Sequence, residues 1–148
     1  ERGVVMSISQ IGVFVENQSG HVARVLDALY KAEVQVRGYC MSDTGDYGIV
    51  RFVVDDPEKA KAVLADMGCA VVTKDVLCLR LADTPGELAR IMGVIAKLGI
   101  NVEYSYSLVS TYIALSVKDL AAAEQALENE SVELIDQAQL SALAKLDA

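Results

Sequence analysis

Two short segments hold residue types with chemistry to offer. Asn17-Gln18-Ser19-Gly20 and Asp83-Thr84-Pro85-Gly86 each stand between an alternating apolar stretch and a stretch with helical spacing. A glycine at a helix start lets a ligand approach the backbone closely. The first N–H groups of a helix lack intrahelical acceptors and point outward with partial positive charge. Such an end suits a carboxylate. Asp83, and more weakly Asn17, can accept from an ammonium group. The two features together complement a free α-amino acid. One such turn by itself is better explained as an ordinary N-cap, since Asn, Asp and Ser cap helices and Pro favours the first turn. Recurrence of the same pattern at the same junction favours a ligand.

The remaining reactive residues point away from catalysis. His21 is the sole histidine and has no partnered serine or cysteine, so no nucleophile–base arrangement is legible. Asp43 and Asp46 flank Gly45 like a fragment of a cation loop, but the other ligands and a closing Glu are missing. Neither a metal nor another cofactor is expected. The three cysteines, Cys40, Cys69 and Cys78, form no CxxC pair. They read as small buried hydrophobes in a chain of the reducing cytoplasm. The formal net charge of −8 disfavours nucleic acid and anionic lipid as partners. No apolar run approaches the roughly 20 residues of a membrane span, and no signal peptide is legible. Glu1 to Val5 precede Met6 and stand outside the fold argument.

The elements that must position the turns occur twice. Gly20, Ala23 and Arg24 match Gly86, Ala89 and Arg90 at one constant offset, 86 − 20 = 66, and Lys31/Lys97 and Val36/Val102 continue the match. In the first copy, Ile8 to Glu16 alternates as a strand. Val22, Val25, Leu26 and Leu29 share one helix face. Val34 to Cys40 and Tyr47 to Val54 read as a hairpin. Asp55-Asp56-Pro57 opens a second helix that ends at Gly68, and Ala70 to Thr73 is a short fourth strand. The second copy has strands at Val76–Ala82, Ile100–Leu108, Thr111–Val117 and Val132–Asp136, with helices at Gly86–Leu98 and Asp119–Glu128. The order βαββαβ predicts an α+β chain of two ferredoxin-like units, antiparallel sheets with helices on one face. The expected boundaries are 7–75 and 76–136. Residues 137–148, with Leu140, Leu143 and Leu146, read as a C-terminal helical tail.

The stretches "VENQSGHVARVLDALYKAEVQVRGY" and "LADTPGELARIMGVIAKLGINVEYS" resemble the opening of ACT domains. The likeness runs from Ser7 to about Asp136 as two such domains. "DTGDYGIVRFVVDDPEKA" also resembles small stand-alone tandem-ACT proteins that bind amino acids. The resemblance implies ligands held between the first turn of one domain and the second strand of its neighbour. One implied site joins Asn17, Gln18, Ser19, Gly20, His21 and Val22 to Glu103, Tyr104 and Ser105. The other joins Asp83, Thr84, Pro85, Gly86, Glu87 and Leu88 to Gly38, Tyr39 and Cys40. Ser19 and Val22 depart mildly from the family's Pro and Leu, and the second copy's hairpin is the shorter one. The implied function is an amino-acid-binding regulatory protein acting on a partner protein. The alternative is a regulatory subunit of a biosynthetic enzyme, like acetolactate synthase small subunits, although a second ACT copy departs from those. Acylphosphatase shares the fold, but its chemistry needs a basic phosphate loop that neither turn supplies.

Assembly is a further expectation. Strict alternation places Phe14, Tyr39, Met41, Ile49, Arg51 and Val53 on the uncovered sheet face of the first copy, an apolar patch of the kind that marks a homodimer. The same alternation gives the second copy a polar face of Arg80, Asn101, Glu103, Ser105, Ser107 and Ser116. The tail is the other candidate for covering the first patch.

Overall fold

The computed structural model describes residues 6–16, 20–43 and 47–146. The elements follow in the order β1 (Ile8–Glu16), α1 (His21–Lys31), β2 (Val36–Asp43), β3 (Tyr47–Val54), α2 (Pro57–Asp66), β4 (Ala70–Arg80), α3 (Glu87–Lys97), β5 (Val102–Ser107), β6 (Tyr112–Val117), α4 (Leu120–Glu128), β7 (Glu133–Ile135) and α5 (Gln137–Leu146). This is the α+β arrangement expected, βαββαβ twice. The strands expected at Ala70–Thr73 and Val76–Ala82 are one strand, β4, which runs through Lys74 and Asp75 without a Gly or Pro to break it.

The chain forms two compact units. The first comprises Ser9–Lys74 and the chain from Leu140; the second comprises Asp75–Gln139 and the chain up to Ile8. In the first unit β3 pairs antiparallel with both β1 and β2, leaving β2 at an edge. Ile11, Val13, Val15, Val50, Phe52 and Val54 point from these strands to Val25 and Leu29 of α1 and Ala60 and Leu64 of α2. In the second unit β6 lies between β4 and β5, and β7 pairs with β4. Leu77, Leu79, Ile113, Leu115 and Val117 pack there on Ile91 and Ile95 of α3 and Ala123 and Leu127 of α4. Apolar residues that recur every second position along a strand and every third or fourth along a helix meet across one interface.

A bulge at the same place in each repeat corrects the face assignments. Pairing jumps from Val36/Val54 to Gly38/Val53 in β2, and from Val102/Val117 to Tyr104/Ser116 in β5. The inserted residues, Arg37 and Glu103, are equivalent. One extra residue inverts the side-chain alternation beyond it. Tyr39 and Met41 therefore share the face of Phe52 and Val50, the helix side, and not that of Phe14. Ser105 and Ser107 likewise share the face of Leu115 and Ile113, while Tyr104 and Tyr106, stacked at 6.4 Å, lie on the other. Two further residues of the expected open faces, Val53 and Ser116, are buried at 0% and 1% exposure. Ser116 donates its hydroxyl to Glu103 Oε1 at 2.9 Å.

Gln137–Leu146 form α5, and from Leu140 on it belongs to the first unit. Leu140 is fully buried, and the Ser141 hydroxyl donates to the Asp55 carbonyl at 2.6 Å. At the other end of the chain, Met6 N donates to the buried Glu124 carboxylate at 3.0 Å inside the second unit.

Candidate functional site

The four main helices start in two different ways. α2 and α4 carry side-chain caps: Asp56 accepts from Lys59 N at 3.2 Å, and Asp119 accepts from Ala122 N at 3.1 Å. α1 and α3 begin instead on Gly20 and Gly86, at φ 87° and 86°, with no side-chain cap. A left-handed backbone excludes the side chains that would normally cap, and glycine adopts it freely. A glycine offers no capping side chain; at α3, Glu87 N reaches Thr84 O at 3.4 Å, and the amides of Leu88 and Ala89 have no acceptor among the described residues. Asp83, the residue placed best to be a conventional cap, does not act as one.

The second turn is described completely. The chain leaves β4 with Leu81 N bonded to Thr111 O at 2.8 Å, and Thr84 N reaches back to Ala82 O at 2.9 Å. Arg90 N then closes the first helical turn on Gly86 O at 2.9 Å. Beside it is a cleft of about 420 Å³ lined by Asp83, Thr84, Gly86, Glu87 and Leu88, together with Ser107, Ser110, Thr111 and Tyr112 of the β5–β6 hairpin. That volume lies in the range of small-molecule sites. Pro85 is exposed and is not part of the lining. A side chain built on Gly86 would meet nothing within 4 Å, so the space next to the helix end is open. The hairpin hydroxyls were not anticipated from the sequence. Their signal is the cluster Ser107, Ser110, Thr111 and Tyr112 in a hairpin too short for a spacer, with Ser110 at a positive φ of 59°.

Glu87, the first residue of α3, is held by Arg90 through two bonds of 2.9 Å, Nε to Oε1 and Nη2 to Oε2. The Arg90 clasp holds the Glu87 carboxyl below the ordinary carboxylate range, with a backbone hydrogen bond from Ala82 adding to the effect and desolvation opposing it. Arg90 Nη2 also donates to Ser131 O at 2.9 Å, and its Nη1 lies 3.8 Å from Glu130.

The first turn is described in part. Asn17, Gln18 and Ser19 lie outside the described residues, as do Gly45 and Asp46 of the acidic loop. Gly20 is exposed and Val22 half-buried. His21 accepts from Glu16 N at Nδ1, 3.0 Å, so its ring tethers the end of β1 to the start of α1. The strand residues implied as partners fall on β2 and β5. Gly38 and Cys40 are on one face of β2 and Tyr39 on the other; Tyr104 and Ser105 divide in the same way on β5.

Burial raises the Cys78 thiol to about 12, so it stays protonated. Among the described residues no helix is long and apolar enough to cross a membrane. Grooves of about 570 and 580 Å³ along α3 and α4 are larger than the turn cleft, and their linings mix small residues such as Gly93 and Ala122 with polar ones such as Lys97, Gln125 and Asn129.

The model of a family described as an ACT domain pair matches residues 6–144. No curated protein matches the sequence. Among solved structures, a Bacteroides thetaiotaomicron protein shares 28% identity at a TM-score of 0.87, over 93% of this chain and 97% of its own. The regulatory subunit of aspartate kinase from Thermus thermophilus, in a ligand-free form, shares 22% at 0.59, over 84% of this chain and 92% of its own. Aspartate kinase from Synechocystis shares 21% at 0.52, over 81% of this chain and 24% of its own. The last two likenesses are likenesses of fold.

Proposed function

The chain belongs to the family of ACT domain pairs, and from that premise we propose that it binds a free α-amino acid and regulates a partner protein without catalysing a reaction. One observation carries this reading. α3 starts on a left-handed glycine with no side-chain cap, and the amides of Leu88 and Ala89, which follow Glu87 N on Thr84 O, adjoin a cleft with Asp83 on its wall. Backbone N–H groups receive the carboxylate and Asp83 receives the ammonium. The hydroxyls of Ser107, Ser110, Thr111 and Tyr112 are available to the ligand's remaining polar atoms. Gly38, Tyr39 and Cys40, the first turn, and Glu103, Tyr104 and Ser105 stay in the proposal as candidate ligand residues. Three free thiols, Cys40, Cys69 and Cys78, accord with a reducing compartment such as the cytoplasm.

A calorimetric screen of the twenty amino acids tests the reading. At least one is expected to bind and to shift the amide resonances of Leu88 and Ala89. Asp83→Ala is expected to weaken that binding by roughly 1.5–3 kcal/mol, the range for a hydrogen bond to a charged group. Gly86→Val is expected to abolish it. Binding that leaves both turns unperturbed overturns the assignment.

A second reading, a regulatory subunit bound to a biosynthetic enzyme, has in its favour that the Thermus thermophilus chain of like fold is named a regulatory subunit. The two readings share the ligand and differ in whether the partner is held permanently.

A further inference from the structure

The wall of the second-turn cleft has a charge problem if a carboxylate is to enter. Asp83 and Glu87 both line it, and no lysine or arginine does. Glu87 occupies the first position of α3, beside the amides that would receive the ligand. An unpaired carboxylate there competes for the helix end and repels an incoming anion. Arg90 removes both effects. It clasps the two oxygens of Glu87 at 2.9 Å and is itself anchored on the side of α4 and β7 by Ser131 O at 2.9 Å and Glu130 at 3.8 Å. Only about a seventh of the Glu87 side chain remains exposed, at 14%.

The first repeat lacks this device. His21 stands at the position of Glu87 and engages Glu16 N, and Arg24, at the position of Arg90, extends over its own turn. A Cβ on Gly20 would lie 3.6 Å from Arg24 Nη1, whereas one on Gly86 would meet nothing within 4 Å. The two arginines are equivalent in sequence and differ in placement because only the second repeat supplies a carboxylate one turn earlier on the same helix face.

We propose that Arg90 is a positioning residue for the second turn: by clasping Glu87 and tying it towards Ser131 and Glu130, it keeps the start of α3 open to a ligand carboxylate. This rests on the reading of the second turn as an amino-acid site. The residue need not touch the ligand. It acts through Glu87, and the two turns consequently differ in how they meet an anion.

The test uses the full chain, calorimetry at pH 7, and the amino acid that binds the wild type most tightly, with its α-carboxamide, which lacks the carboxylate charge and keeps the ammonium, as the counterpart. R90Q is expected to weaken amino-acid binding by about tenfold, the size of one like-charge repulsion at short range in a partly hydrated site, and not to weaken carboxamide binding, since the carboxamide keeps only the ammonium. E87Q is expected to bind the amino acid more tightly than the wild type. The double variant E87Q/R90Q is expected to return to within about twofold of the wild type, which a role confined to holding Ser131 would not produce. R90K, which keeps the charge, is expected to retain most of the affinity. Wild-type affinity in R90Q, weak binding in the double variant, or weakened binding in E87Q overturns the inference while the amino-acid reading stands. If R90Q does not fold, E87Q and R90K decide by the same criteria. If no amino acid binds the wild type, the amino-acid reading falls and this inference with it.

Discussion

At the residue scale, the molecule spends two capping opportunities differently from the other two. Asp56 and Asp119 each accept from a first-turn amide of α2 and α4, whereas Gly20 and Gly86 give α1 and α3 no capping side chain, and at α3 only Glu87 N finds an acceptor, Thr84 O, among the described residues. The glycines are required by their φ values of 87° and 86° rather than by crowding. Gly86→Ala is therefore expected to cost about 1 kcal/mol in a urea melt, the penalty of a left-handed backbone for a residue with a Cβ. Gly20→Ala is expected to cost about the same, since the added Cβ meets only Arg24 at an ordinary contact distance of 3.6 Å. A loss well above 2 kcal/mol at either position would show that the side chain meets something more than strained backbone.

At the element scale, the bulges and the tail matter most. The extra residues Arg37 and Glu103 turn the ends of β2 and β5 over, so each edge strand presents side chains opposite to those that alternation predicts. Tyr39 and Met41 remain exposed at 57% each, but beside the helix layer. The exposed apolar group on the other face reduces to Phe14 and Tyr47, with ring centroids 5.8 Å apart, and the half-buried Ile49. α5 contributes a fully buried Leu140 and the Ser141–Asp55 bond. Leu140→Ala is expected to destabilise the protein by about 2–5 kcal/mol in chemical denaturation, the cost of deleting a buried leucine. A loss below about 0.5 kcal/mol would mean that α5 is detached in solution.

At the scale of the whole molecule, each compact unit includes a terminal segment that follows or precedes the other repeat: the chain up to Ile8 joins the second, and the chain from Leu140 joins the first. We keep the homodimer as a proposal, with a narrower basis than alternation suggested. It rests on Phe14, Tyr47 and Ile49 and on the unpaired edge of β2, since an open edge strand invites pairing with another chain. Light scattering at micromolar concentration is expected to give twice the chain mass of 15.9 kDa. A monomer that stays monomeric when α5 is deleted sinks the proposal; a monomer that associates only without α5 makes the tail the cover.

The sequence by itself determined what depends on neighbours a few residues apart. The 66-residue repeat, the Asp–Pro start of α2, the helix stripes and the glycine starts all follow from i to i+4 contacts and local backbone preference, and so does the order βαββαβ. Half of the second-turn cleft was legible for the same reason: Asp83, Thr84, Gly86, Glu87 and Leu88 are consecutive or nearly so. The hairpin half, Ser107 to Tyr112, was not, because only the pairing of β6 with β4 brings Thr111 to Leu81. The face on which Tyr39 or Ser105 lies, the fusion of two strands into β4 and the destination of α5 were likewise decided by tertiary structure. Register and docking are set by hydrogen bonds and burial between residues far apart in the chain, and a one-residue bulge inverts every side chain after it.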